Sequence, residues 1–288
     1  MKQIDSSRTA KDVALVLSSG GARGLAHIGA IEELEAQGYR ITSIAGCSMG
    51  ALIGGVYAAG KLKEFREWMK TINRKKMLKL TDFSLGLNHI VKGTRIIEAI
   101  MEFVPDMPIQ DLPIPYCAVS TDWKAGREVV FRNGSLFEAI RASISLPAFY
   151  EPVQRDGMIL IDGGVTNPIP LNRVERHDGD ILIGVDVSGQ DYAAEWKEKT
   201  EQSKRRTSFS QKIIDKLRPE GMEFNSYTML ARTSSIMIRQ NSILMAQLMH
   251  PDVLVDIQMN GYGSFDYDKS EKLIAVGRKK TQQALNKI

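Results

Sequence analysis

A chain of 288 residues, 43% of them apolar and 25% charged, has the make-up of a globular protein long enough to bury a large core as one α/β unit. That balance excludes fibrous and disordered classes, and a formal net charge of +4 is too small to imply a nucleic-acid partner. Cys47 and Cys117, the only cysteines, have apolar neighbours and read as buried thiols, not a disulfide framework; no spacing of Cys and His suits a metal.

Residues 1–12 read as a polar tail, and the apolar run that follows is too short for the core of a signal peptide, so the expected location is cytoplasmic. Val13 to Leu17 is a continuous apolar run of strand length, the pattern of a buried parallel strand. It enters the loop Ser18 to Gly24, after which Leu25, Ile28, Ile31 and Leu34 recur at helical spacing until Gly38. Glycine-rich loops between strand and helix cradle anions on backbone N–H groups. A dinucleotide is excluded on two counts: G-x-G-x-x-G is absent, and the strand after it carries no acidic residue to hold a ribose. The other anion that needs such a loop is the oxyanion of acyl transfer, close to a nucleophile.

Ile41 to Gly60 repeats the strand, turn, helix pattern around Gly46-Cys47-Ser48-Met49-Gly50. A serine at the apex of such a turn stands clear of its neighbours, with glycines two residues to either side where a side chain does not fit, and the helix start points N–H groups at the same spot. The stretch is uncharged but rich in glycine and alanine, so a core helix is favoured over a membrane span.

Lys61 to Leu80 reads as a helix with Leu62, Phe65, Met69 and Ile72 on one face. Lys61 to Lys79 carries eight Lys and Arg against Glu64 and Glu67, a local +6 that suits either anionic lipid headgroups or a solvated face. A loop through Gly86 to Gly93 leads to a helix over Arg95 to Val104 and a proline-punctuated connector to Pro115. Strands are expected at Tyr116–Thr121 and Glu128–Arg132, then a helix over Leu136–Ile144 that ends at Ser145-Leu146-Pro147. Extended segments Phe149–Val153 and Met158–Ile161, joined by a turn at Asp156-Gly157, deliver Asp162-Gly163-Gly164 to a strand end.

Ile181 to Val187 is another apolar strand, with Asp186 near its end. The residues from Gln190 to Ser210 are densely charged and read as an exposed insertion. Helical spacing returns over Ile213 to Met249, where Met229, Ile236, Leu244 and Met245 could form a Met-rich face adapted to lipid tails but read rather as core. A strand at Val253–Ile257 and a helix over Lys269–Ile288 close the chain. The division expected is a catalytic core over 13–187, an insertion over 188–210 and a helical part over 211–288 packed on the same domain.

A serine hydroxyl needs a base. His27, His89, His177 and His250 are the histidines, and only the last two follow Asp162 as the usual Ser, acid, His order requires. His177 sits in a polar stretch and His250 precedes Pro251, so both read as surface residues. Asp162 is the better placed, and a direct Ser–Asp pair works if burial raises the carboxyl pKa.

Ser-Gly-Gly-Ala-Arg-Gly at 19–24, Gly-Cys-Ser-Met-Gly at 46–50, Arg-Ala-Ser-Ile-Ser-Leu-Pro at 141–147 and Asp-Gly-Gly at 162–164 together resemble the bacterial patatin-like phospholipases. The resemblance runs from Val13 to Val187 in the family's order. It implies a three-layer α/β/α sandwich with a mainly parallel central sheet, with Ser48 as nucleophile and Asp162 as its sole partner. Backbone N–H groups around Gly20, Gly21, Ala22 and Arg23, with that of Met49, would form the oxyanion hole. Gly24, Gly46, Gly50, Gly163 and Gly164 are the remaining motif glycines.

The implied activity is lipid acyl hydrolysis of the phospholipase A, lysophospholipase or carboxylesterase type, with a lipid or ester substrate and neither metal nor cofactor. The basic cluster Lys61 to Lys79, read as a contact for anionic lipid, extends the expected location to the inner membrane surface. An acyltransferase or thioesterase using the same acyl-enzyme, and a non-catalytic lipid-binding protein, are the alternatives. One position departs from the family pattern: the loop usually begins with three glycines, and the first is Ser19 here. If that position required positive φ, the loop would shift.

Overall fold

The computed structural model describes residues 11–72, 75–76, 94–147, 149–189, 226–263 and 266–287. The expected loop at 86–93, most of the 188–210 insertion, residues 213–225 of the expected long helix, the end of the basic cluster at 77–79 and His89 lie outside them.

The first apolar run is strand β1 (Lys11–Leu17), whose residues Val13 to Leu17 are fully buried. They are apolar on both faces because the strand lies mid-sheet between parallel neighbours, β2 (Tyr39–Cys47) and β7 (Ile181–Gly189). Val13, Leu15 and Leu17 enter the larger of two cores, and Ala14 and Val16 the smaller one on the opposite face.

Eight strands form one sheet in the order β5-β6-β3-β2-β1-β7-β8, with β4 paired to β3. β3 (Tyr116–Asp122) is parallel to β2, and β8 (Val253–Gln258) is parallel to β7 at the edge. β4 (Arg127–Phe131) is antiparallel to β3 on the side away from β2, and β6 (Met158–Asp162) is antiparallel to β3 on the β2 side, beyond the end of β2, with β5 (Val153–Arg155) antiparallel to β6. The turn at Asp156-Gly157 has φ of 49° and 76°, the positive pair that a two-residue hairpin requires. Of the extended segment expected at Phe149–Val153, only the last residue is strand; Tyr150 N–H donates back to Leu146 O at 2.9 Å, so the chain after Pro147 turns instead.

Helices α1 (Ala26–Ala36), α2 (Met49–Ala58) and α3 (Leu62–Lys70) follow the first two strands, and α4 (Thr94–Met101) and α5 (Leu136–Ser143) flank β3 and β4 in the chain. α3 stops at Lys70, yet Ile72 stays buried because its N–H turns back to Met69 O. α6 (Ser226–Met249) packs Met245, Ala246 and Met249 on the smaller core, while α7 (Ser270–Leu285) places Leu273, Ile274 and Leu285 in the larger. Helices therefore cover both faces of a mostly parallel sheet, the expected α/β/α sandwich.

One expectation about α6 fails. Met229, Ile236 and Leu244 are 54%, 38% and 60% exposed, so they are not core. α6 rests on the sheet through one side only, and its apolar residues outnumber the positions that side offers. Among the described residues no helix is long and apolar enough to cross a membrane.

Candidate active site

The chain leaves β2 at Cys47 and enters α2 at Met49, which leaves Ser48 alone to make the turn. Its backbone sits at φ 53° and ψ −120°, a conformation that costs a non-glycine residue about 1–3 kcal/mol. The surroundings enforce it. A Cβ on Gly50 would collide with the Leu17 carbonyl, and one on Gly46 with the backbone of Gly50 and Ala51, so strand and helix close on Ser48 from both sides. Ser143 locks the turn further: its Oγ accepts the Ser48 N–H at 2.8 Å and donates to Val119 O at 2.6 Å. The N–H of Met49, first residue of α2, has no carbonyl within its own helix to donate to.

The sheet register brings the carboxylate to this turn. In β3, Val119 is opposite Cys47 of β2, and the next residue, Ser120, is opposite Asp162 of β6. β4 occupies the other side of β3 at both positions, so β6 takes up the space where β2 ends. Asp162 thus stands where the continuation of β2 would have been, beside Ser48. Ser48 Oγ donates to Asp162 Oδ2 at 2.6 Å, and Gly164 N–H donates to Oδ1 at 2.7 Å. Asp162 is buried, and burial pushes its carboxyl up to about 6 against the opposing pull of these two donors.

The loop Ser18 to Gly24 arrives from the end of β1. Ser18 N–H bonds to Val185 O at 3.1 Å and Ser19 N–H to Pro168 O at 2.8 Å; Ser18 Oγ accepts Val187 N–H at 3.0 Å. A buried His27 bonds through Nε2 to Ser18 O at 2.9 Å, and burial drives its pKa down to about 4, so the ring is neutral and donates this proton. The loop then tightens into a one-turn 3-10 helix over Gly21–Leu25, entered with φ 57° at Gly21. Ser19 is not among the residues of positive φ, so serine fits where the family usually has glycine. Arg23 is buried and its Nε donates to Gly20 O at 3.2 Å, which ties the loop to itself.

Ser48, Asp162, Gly20, Gly21 and Arg23 share the wall of one cavity of about 390 Å³. Its interior is apolar, built from Leu25, Leu52, Phe65, Met69, Ile100 and Ile144 of the loop and helices α2 to α5. The buried faces of α3 and α4 thus form its walls. His27, His177 and His250 do not line it; His177 is half exposed beside Glu175, and His250 is exposed after α6. Cys47 and Cys117 are buried free thiols. No group of three or more potential metal ligands occurs among the described residues.

Sequence reasoning located Ser48, Asp162 and the loop but assigned no role to Ser143, His27, Tyr150 or Tyr267. Ser143 lay inside the quoted 141–147 motif, so its place beside the other motifs was the available signal. Tyr150 and Tyr267 both line the cavity. Tyr267 arrives from a one-turn 3-10 helix more than a hundred residues after Asp162, and nothing in its local pattern marks it.

A family model for patatin-like phospholipase matches residues 15–174. An uncharacterized NTE family protein of Mycobacterium tuberculosis is 45% identical over 179 residues, covering 62% of this chain and 50% of that protein. Neuropathy target esterase sws of Drosophila melanogaster is 33% identical over 190 residues, 64% of this chain and 13% of that protein. The human patatin-like phospholipase domain-containing protein 6 is 34% identical over 190 residues, covering 64% of this chain and 14% of that protein. The chain therefore spans half the length of its mycobacterial relative and a small part of the animal ones. A family match over more than half of the chain, on a mostly parallel sheet with helices on both faces, makes this protein a member of the patatin-like phospholipase family.

Proposed function

We propose that this protein is a serine lipid acyl hydrolase in which Ser48 is the nucleophile and Asp162 its only base. The observation that carries the reading is the 2.6 Å bond from Ser48 Oγ to Asp162 Oδ2 in the wall of an apolar cavity. Asp162 takes the hydroxyl proton as Ser48 Oγ attacks the ester carbonyl carbon. The carbonyl oxygen becomes an oxyanion held by backbone N–H groups of Gly20, Gly21 and Ala22 and by that of Met49 at the positive end of α2, the Arg23 N–H being turned back within the 3-10 helix. Collapse of this intermediate expels the alcohol, which leaves with the proton from Asp162. Water then attacks the acyl-serine, giving a proton to Asp162, and the second collapse returns that proton to Ser48 Oγ as the fatty acid departs.

A carboxyl with pKa about 6 suits this work, since it is ionised at neutral pH yet more basic than an ordinary carboxylate. The Ser48 N–H is engaged by Ser143 Oγ, so it is not counted among the oxyanion donors.

The test is reaction with a fluorophosphonate probe and location of the adduct by mass spectrometry. Labelling at Ser48 is expected, with loss of both labelling and ester hydrolysis in Ser48→Ala and near-complete loss in Asp162→Asn. Full turnover by folded Ser48→Ala would overturn the assignment. His177→Ala and His250→Ala are expected to leave turnover unchanged, and losses equal to those of Asp162→Asn would replace the pair by a triad.

A further inference from the structure

Helix α6 carries apolar residues on two sides. The inner side is committed to the fold: Ser242 is buried, Met245, Ala246 and Met249 pack on the smaller core, and Arg239 bonds to Asp186 and Asp256. The outer side exposes Leu230, Met237, Leu244 and Leu248 at 64%, 59%, 60% and 72%. Steps of seven, seven and four residues align these four in a narrow stripe along the helix. A single exposed leucine needs no explanation, but a line of four along one helix face marks an interaction surface.

The stripe begins at the cavity that holds Ser48. Leu230 lines that cavity together with Ser234, Ser235 and Ile238 of α6, so cavity interior and outer stripe are joined through one side chain. The 24 residues of α6 include no aspartate or glutamate, so the helix itself presents no carboxylate to repel anionic headgroups. It is not apolar enough to span a bilayer, which leaves the geometry of a helix lying in the plane of the interface.

We propose that the Leu230, Met237, Leu244 and Leu248 stripe is the surface by which this protein docks on a lipid bilayer, with the mouth of the Ser48 cavity against the lipid. The choice of lipid as partner rests on the hydrolase reading of that cavity. A lipid leaving the bilayer would then pass along Leu230 without its chain crossing water. The attachment is driven by apolar burial and so resists salt. The basic cluster of residues 61–79 would behave oppositely, being screened by salt; Lys61, Lys70 and Arg66 in it already pair with Glu64, Glu67 and Glu32.

The experiment is cosedimentation of the full chain with vesicles of phosphatidylcholine and phosphatidylglycerol at low and high salt, alongside turnover of a water-soluble short-chain ester. Met237→Glu/Leu244→Glu removes two members of the stripe, neither of which lines the cavity. The double variant is expected to bind vesicles at least about tenfold more weakly than the unaltered protein. Its short-chain turnover and melting temperature should be unchanged. Met237→Gln/Leu244→Gln, expected to be intermediate, replaces it if the charged pair does not fold.

Vesicle binding equal in all three proteins, or absent in the unaltered one, overturns the proposal. A dimer that the double variant dissolves without loss of vesicle binding assigns the stripe to a second copy instead. A lower melting temperature with vesicle binding intact assigns it to a contact within the chain. Vesicle binding that depends on the stripe while the unaltered protein turns over no ester would sink the hydrolase reading and leave the docking surface standing. Ester turnover with stripe-independent binding would do the reverse.

Discussion

Burial and hydrogen bonding pull the Asp162 carboxyl in opposite directions, and burial wins, leaving it near 6. In the proposed role of base Asp162 must be ionised, so kcat/KM for a soluble ester is expected to rise with pH through about 6 and level off above it. A profile flat from pH 4 to 8 would remove Asp162 from that role. The same shift acts on stability. A carboxyl whose folded pKa lies above its ordinary 3.8 binds more protons folded than unfolded between those values, so folding is progressively disfavoured as pH rises through that window. By pH 7 the difference amounts to about 3 kcal/mol. Asp162→Asn, inactive, is therefore expected to match the unaltered protein in denaturant stability near pH 4 and exceed it by about that amount at pH 7. His27 has the opposite sign: its folded pKa of about 4 lies below the ordinary 6.5, so its contribution is lost as pH falls from 6.5 to 4. The two buried groups oppose each other over that window, and the Asn variant should show the acid lability of His27 undiluted.

At the level of elements, the turn between β2 and α2 is held by α5 through a single hydroxyl. Ser143 Oγ bridges the Ser48 N–H and the Val119 carbonyl, so the last residue of α5 reaches both the turn after β2 and strand β3. Ser143→Ala leaves the buried Ser48 N–H without its partner, a loss of about 1–3 kcal/mol in stability. Because the freed N–H also relaxes the strained φ of Ser48, kcat is expected to fall while KM for a short ester holds; unchanged kcat in the folded variant would show that the bond serves the fold alone. The two β–turn–α units were legible in the sequence because the periods of strand and helix and the punctuation of Gly38, Gly46, Gly50 and Gly60 are local properties. The extended reading of Phe149 to Val153 was not reliable in the same way. Apolar and proline residues there fit a strand as well as a turn, and the bond from Tyr150 N–H to Leu146 O decided it.

For the whole molecule, the part beyond the family match is built into the same sheet. β8 extends it next to β7, α7 packs on α1, and α6 is tied down by Arg239, which bonds to Asp186 at 2.8 Å and to Asp256 at 2.6 Å. Asp186 is buried, so Arg239→Met strands its charge and is expected to cost about 3–5 kcal/mol. Asp186→Asn/Arg239→Met should recover part of that loss, and additive effects in the double variant would show the pair to be uncoupled. Since α6 also lines the Ser48 cavity, the single variant is expected to bind lipid probes less tightly as well.

The sequence by itself determined the strand and helix order, the serine elbow and the glycine-rich loop, because each follows from side-chain period or from steric limits over a few consecutive residues. It also singled out Asp162, by its glycines and by the surface setting of His177 and His250. Only the tertiary structure decided that Asp162 reaches Ser48, because register is a property of paired strands: Cys47 opposite Val119 and Asp162 opposite Ser120 bring the two together. The same holds for α6. Whether Met229, Ile236 and Leu244 are core or surface depends on what lies against the helix, and the sheet accepts one side of it alone.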